Sequence, residues 1–112
     1  MNYEDLEVWE RSTRLSVKVY KTFSNSRDYG FKDQITRSSL SVPSNIAEGF
    51  GRTSDKEKRN FLNIARGSCA ELHTQLLIGS EIGYIDQNIS KEMIKEAKEI
   101  SSMISGLMKC FN

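Results

Sequence analysis

The chain has 112 residues, with 16 Lys and Arg against 15 Asp and Glu for a formal net charge of +1. That length holds one core with little to spare, and so even a balance excludes a global polyanion-binding field, leaving only local patches for that work. One proline and seven glycines favour long elements over many short strands, and two cysteines are too few for a disulfide framework.

The opening Met1-Asn2-Tyr3-Glu4-Asp5 is acidic and polar. It has no run resembling a signal peptide or a membrane span, so the expectation is a cytoplasmic protein without a membrane role. The apolar period then predicts a first helix over about 5–23. Val8, Trp9, Ser12, Leu15, Ser16, Val19, Tyr20 and Phe23 fall on one face, and Glu7, Glu10, Arg11, Arg14, Lys18 and Lys21 fall opposite. Glu7–Arg11 and Glu10–Arg14 are acid-before-base pairs four residues apart, each adding ~0.3 kcal/mol on an exposed helix. Ser24 to Gly30 is dense in turn formers and reads as a loop.

A second helix is expected over about 31–49. Its core stripe is Phe31, Ile35, Ser38, Val42 and Ile46, with serines at 39, 41 and 44 that let another helix approach closely. Pro43 removes a backbone donor, but the apolar period stays in phase across it, so a kink is expected rather than a break. Gly49 and Gly51 should end the helix through the left-handed conformation open to glycine. Ser54-x-x-Glu57 matches a capping box and opens a third helix, about 55–83. Phe61, Ala65, Ser68, Leu72, Leu76 and Gly79 trace its core face, and Ile64, Glu71, Ile78 and Ile82 form a second stripe that a closed monomer does not need. After a turn at 84–88, the fourth helix runs over about 90–110, with Met93, Ala97, Ile100, Ile104, Leu107 and Phe111 inward and Lys91, Glu92, Lys95, Lys98 and Glu99 outward. Four helices joined by short loops make one domain over 1–112, an all-α, up-down-up-down antiparallel four-helix bundle. In such a hairpin Cys69 and Cys110 are offset by about five residues, roughly 8 Å along the axis, beyond disulfide reach.

Three constellations stand out. Gln34, Arg37, Ser41, Asn45 and Glu48 share one flank of the second helix, and with Ser68 and Glu71 they could form a hydrogen-bonded network in a partly buried seam. Glu71, if buried, would need a cation or donor such as Arg37 or Asn45, and the network would set helix pairing or subunit register. Arg59, Arg66 and His73 recur every seven residues on a face expected to point outward. With Arg52 and Lys56 they are the candidate nucleic-acid contacts, against the plainer reading of a solvated charged face. Ile64, Ile78 and Ile82 are the candidate oligomer interface. No catalytic constellation is present. His73 is the only histidine, so paired Glu-x-x-His sites cannot be built, and Cys69 with His73 lacks two further metal ligands. The expectation is a non-enzyme without cofactor or metal.

The blocks Asp33-Gln34-Ile35-Thr36-Arg37, Ser41-Val42-Pro43-Ser44-Asn45-Ile46-Ala47-Glu48-Gly49 and Phe61 through Leu72 resemble the four-helix-bundle family named for the 23S rRNA intervening sequence. Some of its members carry the name S23 ribosomal protein. Leu6-x-Val8-Trp9 and Gly83-Tyr84-Ile85 extend the likeness over nearly the whole chain. The resemblance implies a bacterial bundle that assembles as a cyclic homopentamer. It also implies kinship with the accessory variability protein of diversity-generating retroelements, a barrel-like pentamer that contacts a reverse transcriptase and nucleic acid. Asn45, Glu48, Gly49, Arg52, Arg66, Ser68 and Glu71 match the family motif, with no catalytic role implied. Two functional classes follow: a binder of RNA or ribonucleoprotein, or a protein–protein scaffold or accessory subunit without nucleic acid, which the near-zero net charge favours.

Overall fold

Four α-helices make up nearly all of the computed structural model, which describes residues 2–111. They are α1 (Glu7–Thr22), α2 (Tyr29–Phe50), α3 (Asp55–Glu81) and α4 (Gln87–Met108), preceded by a single 3-10 turn at Tyr3–Asp5. Each helix packs on the next and α4 packs back on α1, whereas the diagonal pairs α1/α3 and α2/α4 do not come close among the described residues. The result is an antiparallel up-down-up-down four-helix bundle, 43 × 22 × 20 Å.

The starts of α2, α3 and α4 follow from side-chain caps, two of them earlier than the apolar period predicts. Asp28 accepts from the Phe31 amide and Asp86 from those of Asn88 and Ile89, so α2 and α4 begin two and three residues before the boundaries expected near 31 and 90. Ser54 accepts from the Glu57 amide at 3.1 Å, and the Glu57 carboxylate takes a hydrogen bond from the Ser54 hydroxyl, also at 3.1 Å. α2 continues through Pro43 without a break. Its two glycines behave differently from expectation. Gly51 caps the helix at φ −82°, in right-handed geometry, and Gly49 lies inside the last turn. A Cβ on Gly49 would sit 3.1 Å from the Phe61 Cβ and 3.2 Å from the Lys58 carbonyl oxygen. Gly49 is therefore a close-approach residue that lets the start of α3 lie against the end of α2. The left-handed turn falls at Gly83 (φ 80°), between α3 and α4.

The core is apolar from end to end: Val8, Leu15, Val19 and Phe23 of the first segment meet Ile35, Val42 and Ile46 of α2. Leu62, Ala65, Cys69, Leu72 and Leu76 of α3 close it with Met93, Ala97, Ile100, Ile104 and Met108 of α4. The α3 core face is rotated from the expected one. Leu62 and Cys69 are buried, while Phe61 and Ser68 are half-buried on the α2 side, because α3 has to serve two neighbours and the centre of its apolar arc points between them. Tyr20, expected inward, is exposed. The Cys69 thiol donates to the Ala97 carbonyl at 3.0 Å, and burial pushes it up to about 11. It is a packed, unreactive thiol, and neither cysteine is in a disulfide.

Candidate nucleic-acid interface

The heptad-spaced cations of α3 lie against α4 rather than facing straight outward. Arg59 donates to the carbonyls of Met108 (3.4 Å) and Phe111 (3.1 Å), which places a cation on the unsatisfied carbonyl end of α4, where the helix dipole favours it. Arg66 donates to Ser105 Oγ at 3.1 Å and to Asn63 Oδ1 at 2.9 Å. These partners are neutral, so both charges remain uncompensated by carboxylate. His73 is half-buried on the same flank, two turns further on.

Arg52 does not join them. Its guanidinium pairs with Glu48 (3.2 Å) and Glu57 (3.8 Å) and stacks 4.8 Å over the Phe61 ring, at the α2–α3 junction. Lys56 is exposed in the first turn of α3. The five expected contacts thus divide into an α3–α4 group (Arg59, Arg66, His73), an internally neutralised Arg52, and an isolated Lys56.

What joins the first group comes from α4. The α4 positions that meet α3 are Ser90, bonded to Ser80 Oγ at 3.0 Å, the Ala97 carbonyl, Ser105, and the Met108 carbonyl. Lys91, Lys98 and Lys109 each follow one of these by one residue, about 100° round the helix, and with Lys95 they are exposed. The acids of α4 lie on its other flank. Glu96 and Glu99 bind Arg11 of α1, and Glu92 lines the α1–α4 groove. A helix with interleaved charges in sequence therefore has a basic edge toward α3 and an acidic edge toward α1. Sequence reasoning grouped Lys91, Glu92, Lys95, Lys98 and Glu99 as one solvated face. The signal was there, in two parallel series of spacing four then three.

Of the expected polar network, the seam keeps the short members. Ser41 Oγ and Ser68 Oγ are 2.8 Å apart across α2 and α3, and Asn45 Nδ2 donates to the Ser41 hydroxyl and carbonyl at 2.9 and 2.8 Å. Ser38 donates to Gln75 one turn away. Gln34, Arg37, Glu48 and Glu71 are exposed and outside this network. Glu71 sits on the outer side of α3, so the burial that would have demanded a cation does not arise. Ile64, Ile78 and Ile82 are likewise exposed along that outer side. Among the described residues no cluster of His, Cys, Asp and Glu could hold a metal ion, and no helix is long and apolar enough to cross a membrane.

A family model described as 23S rRNA-intervening sequence protein matches residues 4–106. Among solved structures, the chain is similar to a crystal structure of a protein of unknown function from the S23 ribosomal protein family of Bacteroides thetaiotaomicron VPI-5482. The identity is 25% and the TM-score 0.85, over 91% of this chain and 98% of that one. No curated protein matches.

Proposed function

Because the chain belongs to the 23S rRNA-intervening sequence protein family, we propose that it is a non-enzymatic, self-assembling bundle that associates with RNA or ribonucleoprotein through its α3–α4 face. The observation that carries the RNA reading is the segregation of charge on α4. Lys91, Lys95, Lys98 and Lys109 adjoin Arg59 and Arg66, while Glu92, Glu96 and Glu99 are withdrawn to the α1 side. A net charge of +1 then coexists with a face able to neutralise several phosphates. Phe61, the aromatic between Arg59 and Arg66 in the sequence, is half-buried under Arg52 at the α2–α3 junction, which suits backbone contacts to a structured RNA better than base stacking.

In a ring of five copies that face would recur five times, so modest affinity per copy becomes avidity. A cytoplasmic pentamer of this kind, akin to the accessory variability protein of diversity-generating retroelements, is part of the same proposal. Exposed isoleucines on α3 support self-assembly.

The test is binding of a structured RNA across a salt series, comparing the native chain with Lys95→Glu/Lys98→Glu. Arg59 and Arg66 are poor probes because they also hold α3 to α4. The expected result is a log–log salt slope shallower by about one per lysine removed. Absence of binding at low salt would leave the scaffold reading, which the even overall charge favours, and the search would turn to protein partners.

A further inference from the structure

The cations of the α3–α4 face fall into two groups along α4. Lys91, Lys95, Lys98, Ser102, Ser105 and Lys109 follow one another at alternating steps of four and three, so they share one side of the helix. The lysines and Ser102 are exposed, and Ser105 is half-buried. Lys91, Lys95 and Lys98 make the first group, spread over about 10 Å of helix axis. From Lys98 to Ser105 the same side is uncharged for about another 10 Å. The second group then begins: Arg66 donates to Ser105 Oγ at 3.1 Å, and Arg59 donates to the Met108 and Phe111 carbonyls next to Lys109. None of these cations is in an ion pair among the described residues. Between the groups the surface is low, because Ser102, Ser105 and Gly106 carry little or no side chain. The Ser105 oxygen accepts from Arg66, which leaves its hydrogen to donate.

Resting on the RNA reading above, we infer that this edge binds double-stranded RNA across its minor groove. The two cation groups sit on the two backbones, and Ser102 and Ser105 lie over the groove floor between them. A single strand bends to meet any set of cations and is held largely by stacking on aromatic rings, and the six-residue series on this side of α4 contains none. A duplex presents two rows of phosphates with an uncharged groove between, the pattern that the helix edge repeats. The groove has to be wide enough for the uncharged stretch and shallow enough for a serine hydroxyl to touch its floor. In B-DNA the minor groove, about 6 Å wide, is too narrow, and the major groove, about 8.5 Å deep, is beyond the reach of serine. The minor groove of A-form RNA is wide and shallow and displays 2′-hydroxyls, with which a serine hydroxyl pairs as donor or acceptor. Recognition of this kind reads helix shape and ribose and is indifferent to sequence.

The experiment is fluorescence polarisation of the full chain with three probes: a blunt RNA duplex of two helical turns, one of its strands alone, and the DNA duplex of the same sequence. Native chain, Lys91→Gln/Lys95→Gln, Lys109→Gln and Ser102→Leu are compared across a salt series, with circular dichroism as the check on folding. The native chain is expected to bind the RNA duplex about tenfold tighter than either other probe. Lys91→Gln/Lys95→Gln and Lys109→Gln should each weaken duplex binding, with the log–log salt slope shallower by about one per lysine removed. Ser102→Leu removes no charge, so it should weaken the RNA duplex alone, about tenfold, at an unchanged slope. A single strand or a DNA duplex that binds as tightly as the RNA duplex overturns the inference and leaves the RNA reading standing. So does a folded Lys109→Gln with the native slope, which would confine the contact to one backbone, or a folded Ser102→Leu with native affinity for the RNA duplex. Absence of binding to either RNA at low salt removes the RNA reading and this inference together.

Discussion

The α2–α3 seam and the α4–α1 seam hold the same bundle together with opposite materials. Between α2 and α3 the contacts are short: the Ser41–Ser68 hydroxyl pair at 2.8 Å, and Gly49 with room for no Cβ against Phe61 and Lys58. Between α4 and α1 the contacts are long. Arg11 reaches both oxygens of Glu96, with Nε 2.9 Å from Oε2, and Glu99 at 2.7 Å. Beyond that clamp a groove of about 970 Å³ opens, lined in part by Leu15, Lys18, Ile89 and Met93. Small neutral hydroxyls permit close backbone approach and satisfy their own hydrogen bonds locally, as Ser38 does with the Ile35 carbonyl at 3.1 Å. A guanidinium spans a wider gap, but its attraction is screened and depends on the carboxylates staying ionised. One seam is set by steric fit and the other by charge.

The largest effect should come from breaking the close seam. Gly49→Leu forces a side chain against a neighbouring Cβ and a backbone carbonyl, neither of which can swing away, and should cost about 3 kcal/mol in urea unfolding. Its counterpart is Gly106 on α4, where an added Cβ meets nothing within 4 Å. Gly106→Ala should stabilise by roughly 0.5–1 kcal/mol, the helix-propensity difference alone. If both glycines tolerated substitution equally, the distinction between seams would fall.

Removing a hydroxyl from the close seam is the next step down. Ser68→Ala leaves Ser41 with the Asn45 amide as its remaining side-chain partner and should cost about 1 kcal/mol, independent of salt. Arg11→Met on the charged seam should cost a similar ~1 kcal/mol at low salt, since the ion pairs are partly exposed, and that loss should shrink as salt is raised. Salt dependence, more than size, separates the two.

Acid sharpens the same contrast. The hydrogen bonds from Arg11 hold the Glu96 carboxyl below its ordinary 4.5. A depressed folded-state value means that the clamp contributes fully above about 4.5 and is lost as pH falls through that lower value. The stability difference between the native chain and Arg11→Met should therefore close as pH falls below 4.5. The difference for Ser68→Ala should stay constant over that range, because no titrating group takes part in that pair.

The apolar periods of α1 and α4 mapped directly onto the core because each has one broad buried face, and Val8, Leu15, Val19, Met93, Ala97 and Ile100 are buried as their spacing requires. The capping serine at 54 was equally readable, being a local interaction between residues three apart. Asp28 and Asp86 were also legible as caps, yet each lies ahead of the apolar stripe that drew the boundary. The candidate face was harder. Periodicity places Arg59, Arg66 and His73 on one flank, but the wheel of an isolated helix has no direction for its neighbours, so whether that flank meets α4 or solvent is undetermined.

Sequence alone determined that this chain makes four helices in an antiparallel bundle, because helix formation, caps and the 3.6-residue period are local properties of consecutive residues. Only the tertiary structure decided that Arg59 caps α4, that Arg52 is neutralised by Glu48 and Glu57, and that Glu71 stays outside the serine seam. It also decided that the α4 lysines join the α3 arginines while the α4 glutamates turn to Arg11. Those outcomes depend on the rotation of each helix about its own axis. Packing against two neighbours at once sets that rotation, a condition no single stretch of sequence contains.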